Sequence, residues 1–504
     1  MTGGYHSARD ARGDLTLDAD VVVVGSGAGG STAATELAST GLRVLVLEEG
    51  PRVLATDLGK MRPTESLRHV WRDGAMLVTV PLGDSPAINV TMGRCVGGSS
   101  VVTGGVCFRT PGAVLSRWRD EFGLLEYTPE ALEPYFLEVE RHLHVEEVPL
   151  SLRSRSTALF AEGARALGYE LQPMRRNTDG CNGCGRCNFG CPHQAKLSVD
   201  LSYLPRAVRA GAEVWSHCLV ERVEHRHGRV DGVSGRLLNR PGSRAGARLR
   251  VHAPRVVLAA GSWHTPVLLK RSRLGNERHV GRHMTVHPGF RMLGRFDAPV
   301  QGWKGALQSA WSDHFEPEGI TLTSLFLPTG VLGATVPGAG PEHLQGASKI
   351  DHLTVFGGIL HDEGGGTVHV VPGREPLVTY RMDPRDRARI PRLLRIMAET
   401  FLAAGAEEVF LPVLGARGMD ADTFRRFPLE AVPASRLECA SQHPLGTARM
   451  ACSEGLGVTD PNGKVWDLEG LWIADGSIVP TSLGVNPQLS IMALATRVAQ
   501  RMRG

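Results

Sequence analysis

Residues 19–50, ADVVVVGSGAGGSTAATELASTGLRVLVLEEG, begin with an apolar run holding four consecutive valines, break at glycines, continue alanine-rich and close on a second apolar run ending in acid. That order predicts a buried strand, a helix stopped by Gly41, and a second buried strand. PEALEPYFLEVERHLHV and TALFAEGARALGYE repeat apolar residues at helical spacing and read as amphipathic helices. SVDLSYLPRAVRAGAEVWSHCLVERVEHRHGRVDGVSGRL reads as a helix followed by strands that turn at HGR and DG. Between about residues 280 and 440, FRMLGRF, HLTVFGGIL and TVHVV predict an antiparallel sheet, followed by a helix near 386–404. Near the C-terminus Leu489, Met492, Ala495 and Val498 recur every third residue and predict a last helix. Asn486 would cap it, with Pro487 in its first turn.

A chain of 504 residues exceeds what one core supports, so two or more domains are expected. Its 56 basic and 52 acidic residues leave a net charge of +4, which gives no footing for nucleic acid. Basic runs such as RRN at 175–177 read as solvated surface. The opening residues contain no apolar leader core, and no run is long enough to predict an integral membrane segment, so a cytoplasmic location is expected. Cys95, Cys107, Cys218, Cys439 and Cys452 are scattered and read as free thiols of a reducing compartment.

Chemistry enters with the glycines. Gly25 permits a tight turn, Gly27 lets backbone approach a pyrophosphate, and Gly30 allows the helix to lie close to the strand. The helix N-terminus offers N–H groups and positive potential to phosphate. Glu48, eighteen residues beyond Gly30, stands where a carboxylate meets an adenosine ribose. This unit predicts dinucleotide binding without separating FAD from NAD. TMGRCVGGSSVVTGGVCFRTPG, residues 91–112, follows neither strand nor helix periodicity and suits backbone lying along a flat ligand.

GRCVGGSS followed by FRTP resembles the first signature of the glucose-methanol-choline (GMC) oxidoreductases, and LAAGSWHTPVLLKRSRLG at 258–275 resembles the second. SQHPLGTARM at 441–450 and LWIADGSIVPTSLGVNPQLSIMALATRVAQRM at 471–502 are similar to the family's C-terminal segments. The resemblance implies an α/β fold: a Rossmann-like FAD-binding domain with an inserted α+β substrate domain built on an antiparallel sheet. The expected boundaries are 17–280 for the FAD domain, with a cysteine-rich insertion near 175–200, then 281–438 for the substrate domain. Residues 439–504 would return to the FAD domain with the catalytic groups. It implies FAD as cofactor, held by Gly25, Gly27, Ala28, Gly30 and Glu48, by Arg94, Gly97, Gly98, Ser99, Thr103 and Gly104 of the first signature, by Val220, by Ala260 and Gly261, and by Asp475, Gly476, Asn486, Pro487 and Gln488. Thr103-Gly104 stands where many members have Asn-Gly. The second signature is expected as a strand leading to a loop near the flavin. His443 is implied as the base that takes a hydroxyl proton, Asn486 as the group that orients the oxygen, and flavin N5 as the hydride acceptor. An alcohol is the implied substrate.

CNGCGRCNFGCP, residues 181–192, repeats the C-x2-C-x2-C-x3-C-P spacing of bacterial ferredoxins, with Gly183, Gly185 and Gly190 able to wrap a cluster. Some GMC relatives carry an iron-sulfur cluster in this region and others show related cysteine patterns without one. Three readings stand: Cys181, Cys184, Cys187 and Cys191 as iron-sulfur ligands, as structural thiols or a disulfide, or as zinc ligands. A cluster would relay electrons to an acceptor other than oxygen, a protein or a quinone-like molecule, making a dehydrogenase. The alternatives are an oxygen-using alcohol or sterol oxidase, or a redox carrier or sensor.

Overall fold

The computed structural model describes residues 3–238 and 246–503. A six-stranded sheet runs in the order Gly4–Ser7, Glu213–Ser216, Val44–Leu47, Val21–Val24, Val256–Leu258 and Leu471–Ile473, every pair parallel. Val21–Val24 and Val44–Leu47 are buried at every position, which is why they are continuous apolar runs rather than alternating ones. The helix Ala28–Ala38 joins them as expected, and the C-terminal helix Gln488–Arg501 packs against it. The last helix thus returns the far end of the chain to the nucleotide unit.

A second sheet of eight strands includes, side by side, Ile88–Val90, Cys439–Ser441, Gly289–Arg295, Leu353–Leu360, Ile320–Ser324 and Ala310–Ser312. Its interior pairs are antiparallel, and the helix Pro384–Ala403 packs on it around a separate hydrophobic core. The predicted helices appear at Pro129–Leu143 and Arg155–Ala166.

Two local expectations are corrected. Asp231-Gly232 is no turn: the chain reverses at His227 and Gly228, both at positive φ. Gly232 lies inside the strand Arg229–Leu237 at φ +139°, where a β-carbon would stand 1.9 Å from the Val251 carbonyl oxygen. A close backbone approach, not a reversal, demands that glycine. TVHVV contributes the strand Gly366–His369, but it pairs with Leu377–Tyr380 in a separate three-stranded sheet. Among the described residues no helix is long and apolar enough to cross a membrane.

Candidate active site

One deep cleft runs from the first βαβ unit to the start of the C-terminal helix. Gly25, Gly27, Ala28 and Glu48 line one end, Gly98, Ser99, Thr103 and Gly104 a long side, and Val220, Ala260 and Gly261 the opposite side. His443, Asp475, Gly476, Asn486, Pro487 and Gln488 complete it. Of the residues expected there, Gly30, Arg94 and Gly97 do not line the cleft. Gly30 packs against the turn, where a β-carbon would stand 2.0 Å from the Gly25 carbonyl oxygen. Arg94 reaches Asp73 at 3.2 Å, and Gly97 turns the loop at φ +97°.

The two glycine loops touch. A β-carbon on Gly98 would stand 2.7 Å from the Gly27 α-carbon, so bare backbone borders the cleft from both sides. Gly29 is more constrained still and was not singled out from the sequence: its β-carbon would stand 1.7 Å from the Ala474 carbonyl oxygen. Gly29→Ala must therefore push the first helix off the strand that leads to Asp475. We expect a protein that expresses insoluble or without flavin, checked by the flavin absorbance of the purified chain against wild type.

Glu48 is buried, and burial raises its pKa while three hydrogen bonds oppose the rise. Its Oε2 accepts the Ser26 amide at 3.1 Å and hydroxyl at 2.6 Å, and Oε1 accepts the Gly50 amide at 2.9 Å. Oε1 keeps acceptor capacity for a ribose hydroxyl. Asp475 ties the second signature to the C-terminal segment. Its Oδ2 accepts the Gly261 amide at 2.8 Å and the Thr265 hydroxyl at 2.6 Å, and its Oδ1 accepts the Ser477 amide at 2.8 Å. The second signature is a strand leading into the helix Gly261–Ser272, which corrects the expected loop and puts a helix N-terminus on the cleft.

Sequence reasoning missed the charged floor beside Glu48. Arg72 joins Glu49 at 2.5 Å and Glu375 at 2.8 Å, and His264 meets Glu375 at 2.9 Å. Arg72 and Glu375 are 303 residues apart, so no local pattern announces the pair.

The catalytic candidates meet at the other end. The Asn486 Nδ2 lies 3.1 Å from His443 Nε2. Asn486 does not cap the helix: Pro487 occupies the cap position without a side-chain bond, which leaves the Asn486 amide free to face His443. His443 is enclosed by protein, and burial pushes its pKa down to about 4, so the imidazole is neutral at pH 7. His287 packs against it with ring centroids 5.2 Å apart. The His287 Nε2 accepts the amides of Leu483 and Gly484 at 2.9 and 3.1 Å, which places its proton on Nδ1. Thr321 donates to the Gly484 carbonyl at 3.0 Å. The segment carrying Asn486 is thus held by the antiparallel sheet, a contact invisible in sequence.

Above this pair lies a cavity of about 300 Å³ that shares Gln308, Gln442, His443 and Asn486 with the cleft. Trp71, Phe108, Phe189, Leu307, Trp311 and Phe326 line it.

Asn188 and Phe189 of the cysteine run line that cavity. All nine cysteines are free, and among the described residues no three His, Cys, Asp or Glu side chains gather where they could hold a metal ion. The iron-sulfur and zinc readings of Cys181, Cys184, Cys187 and Cys191 thus find no support among the described residues, and the disulfide reading is corrected to free thiols. The glycines serve packing instead. Gly185, at φ +68°, would place a β-carbon 2.6 Å from the Phe326 ring, and Gly190, at φ +97°, one 2.6 Å from the Leu58 β-carbon. Cys187 is buried and accepts from Arg176 Nη2 at 3.0 Å, while Arg176 Nε donates to the Gly104 carbonyl at 2.9 Å. Arg176 is 1% exposed, so the run RRN is not solvated surface. Lys196, also buried, donates to the carbonyls of Ser100, Val101, Thr103 and Cys187 at 2.7–3.1 Å. Of the scattered cysteines, Cys452 is exposed and the other four are buried.

The residues fit an FAD: a glycine cradle too narrow for side chains, a ribose-side carboxylate, two helix N-termini, and a buried Gln488 Nε2 with no partner among the described residues. Such a site, set against an aromatic-lined cavity with a His-Asn pair, is that of a flavin-dependent oxidoreductase. The chain belongs to the GMC oxidoreductase family, whose N-terminal part matches residues 19–289 and whose C-terminal part matches 366–495. It is 41% identical to the GMC-type oxidoreductase Rv0492c of Mycobacterium tuberculosis, over 96% of this chain and 75% of that one. It is 28% identical to the long-chain-alcohol oxidase FAO4B of Arabidopsis thaliana, over 99% and 69%. Among solved structures, pyridoxine 4-oxidase from Mesorbium loti superposes with a TM-score of 0.73 at 19% identity, over 96% of this chain and 99% of that chain.

Proposed function

We propose that the protein oxidises an alcohol with a largely apolar body to the aldehyde or ketone. The observation that carries this reading is the His443–Asn486 pair at the boundary between the cleft and an aromatic-lined cavity. Bound FAD would supply the hydride acceptor. His443 Nε2, neutral through burial, receives the hydroxyl proton, and the Asn486 amide then turns to the alcohol oxygen and holds it. His287, Asp362 and Tyr380 keep the two groups in register. The Asp362 carboxylate accepts the Val286 and His287 amides, each at 3.0 Å, and the Tyr380 hydroxyl at 2.9 Å. The aromatic walls exclude water from the reacting carbon.

The base must be unprotonated, and the free enzyme's pKa governs kcat/KM. With His443 held near 4, kcat/KM should stay level from pH 8 down to pH 6 and fall as pH approaches 4. An acid limb centred near 6.5 that vanishes with His443 would show an imidazole in a water-like setting and contradict this.

The expectation of an acceptor other than oxygen rested on the cysteines as a relay. We take oxygen as the acceptor, a reading supported by the oxidase names of several relatives. Hydrogen peroxide formed in equal amount to alcohol consumed would support it. Turnover with a dye acceptor and no peroxide in air would return the protein to the dehydrogenases. A carrier or sensor is excluded by any turnover that depends on His443.

A further inference from the structure

The hairpin loop between the strands Gly366–His369 and Leu377–Tyr380 brings Arg374 to the Glu48 end of the cleft, where it lines the wall with Glu49, Arg72, His264 and Arg271. Its Nε stands 3.4 Å from Glu49 Oε1, and its Nη2 donates to Asp73 Oδ1 at 3.0 Å. Glu375, the next residue, lies outside the cleft lining and fastens the loop. Its Oε1 accepts from Arg72 Nη1 at 2.8 Å and from Arg374 Nε at 3.1 Å, and its Oε2 meets His264 Nε2 at 2.9 Å. The backbone is held too: Lys270 Nζ donates to the Val368 carbonyl at 2.6 Å and Arg271 Nη2 to the Gly373 carbonyl at 2.9 Å. Gly373 makes the bend at φ +134°, a conformation that residues with a β-carbon rarely adopt.

This fastening has no part in the proton transfer at His443, which lies at the other end of the cleft. The side chains of Arg72, Glu49, Arg374 and Glu375 are only 9–19% exposed. Salt therefore screens their pairs little, and losing one partner leaves the others buried without it. His264 and Arg271 stand seven residues apart on the helix Gly261–Ser272, about two turns, so one face of that helix carries both holds. The loop is thus tied to the nucleotide unit through Arg72 and Glu49, and to the helix whose N-terminus faces the cleft.

We propose that residues 370–376 form a strap across the adenosine end of FAD, latched by Glu375, and that the latch sets how fast the cofactor leaves. This rests on the reading of the cleft as an FAD site. Arg374 is the strap's contact with the cofactor. Glu375 is a positioning residue that acts through Arg374, Arg72 and His264.

The test follows FAD release from the holoenzyme, read as the rise of flavin fluorescence after dilution. Glu375→Gln should speed release about ten- to a hundredfold, the scale of lost hydrogen bonds between charged groups. Lys270→Met frees the other foot of the loop and also lies outside the cleft lining. It removes one bond rather than three, so it should speed release less, and it carries the test where Glu375→Gln does not fold. Hydrogen exchange with excess FAD present is the second readout. It should quicken at residues 370–376 in both variants and keep the wild-type rate in the helix Ala28–Ala38, whereas a general loss of stability moves both segments. Release at the wild-type rate in both variants, or faster release with exchange at 370–376 unchanged, would overturn the strap while FAD still bound. A wild-type chain that neither carried nor bound FAD would end the reading of the cleft itself, and the strap with it.

Discussion

His443→Ala is expected to lower kcat by about 100- to 10,000-fold while leaving the flavin bound, because the substitution removes the proton acceptor and spares the cradle. The His443 side chain meets the Asn486 amide, and its backbone amide bonds to the Ser441 hydroxyl at 3.0 Å, a contact alanine retains. Flavin absorbance should therefore match wild type in intensity. Single-turnover reduction of the flavin by alcohol separates this effect from slow reoxidation: the loss should fall on the reductive half. Activity at the wild-type level against every responsive alcohol would end the assignment of His443 as the base. Asn486→Ala should cost less, since it removes orientation of the oxygen and leaves the base.

Lys196→Met is expected to cause the largest loss of stability outside the glycine cradle. The ammonium sits among four backbone carbonyls of the loop Ser100–Thr103 and of Cys187, with bonds of 2.7–3.1 Å. Burial pushes its pKa down to about 8, so it is mainly charged at pH 7, and those bonds are charge-assisted. Methionine fills a similar volume and donates nothing. Leaving buried carbonyls unmet costs about 1–3 kcal/mol each, offset in part by removing a buried charge, so a net loss of about 3 kcal/mol is the expected scale. Thr103 and Gly104 line the cleft, so the loss should appear as weaker flavin retention as well as a lower Tm. Calorimetry and the flavin-to-protein absorbance ratio read the two separately. Wild-type values in both would show that the loop stands without Lys196. Cys187→Ser, which keeps an acceptor for Arg176, should be much milder, whereas a cluster ligand would tolerate no such change.

The nucleotide unit was readable along the chain because every signal in it is local. Strand, turn, helix and acid fall within residues 19–50, and the parallel pairing of Val21–Val24 with Val44–Leu47 follows from one short crossover. His443 and Asn486 were also named in advance, from two short segments. Their meeting across the cleft depends on the last helix packing against the first, and the cap position expected of Asn486 is taken by Pro487.

The cysteine run shows where local reading stops. Its spacing is the same whether four thiols converge on a metal or point to different neighbours, because spacing limits reach and leaves direction to the partners. Arg176 sets the direction of the Cys187 thiol, and the glycines that permitted a cluster serve to pass close to the Phe326 ring and Leu58. Arg176 read as surface because charge in sequence is scored alone, while burial is decided by acceptors such as the Gly104 carbonyl on a distant loop.

By itself the sequence determined the strands and helices with short-range periods, the glycine positions where backbone must approach backbone, and the residue types able to take a proton. Only the tertiary structure decided which polar groups share a site: Arg72 with Glu375, and His287 with the Leu483 and Gly484 amides. Periodicity is a property of neighbours along the chain, whereas a buried charge is stable or reactive according to groups brought to it from hundreds of residues away.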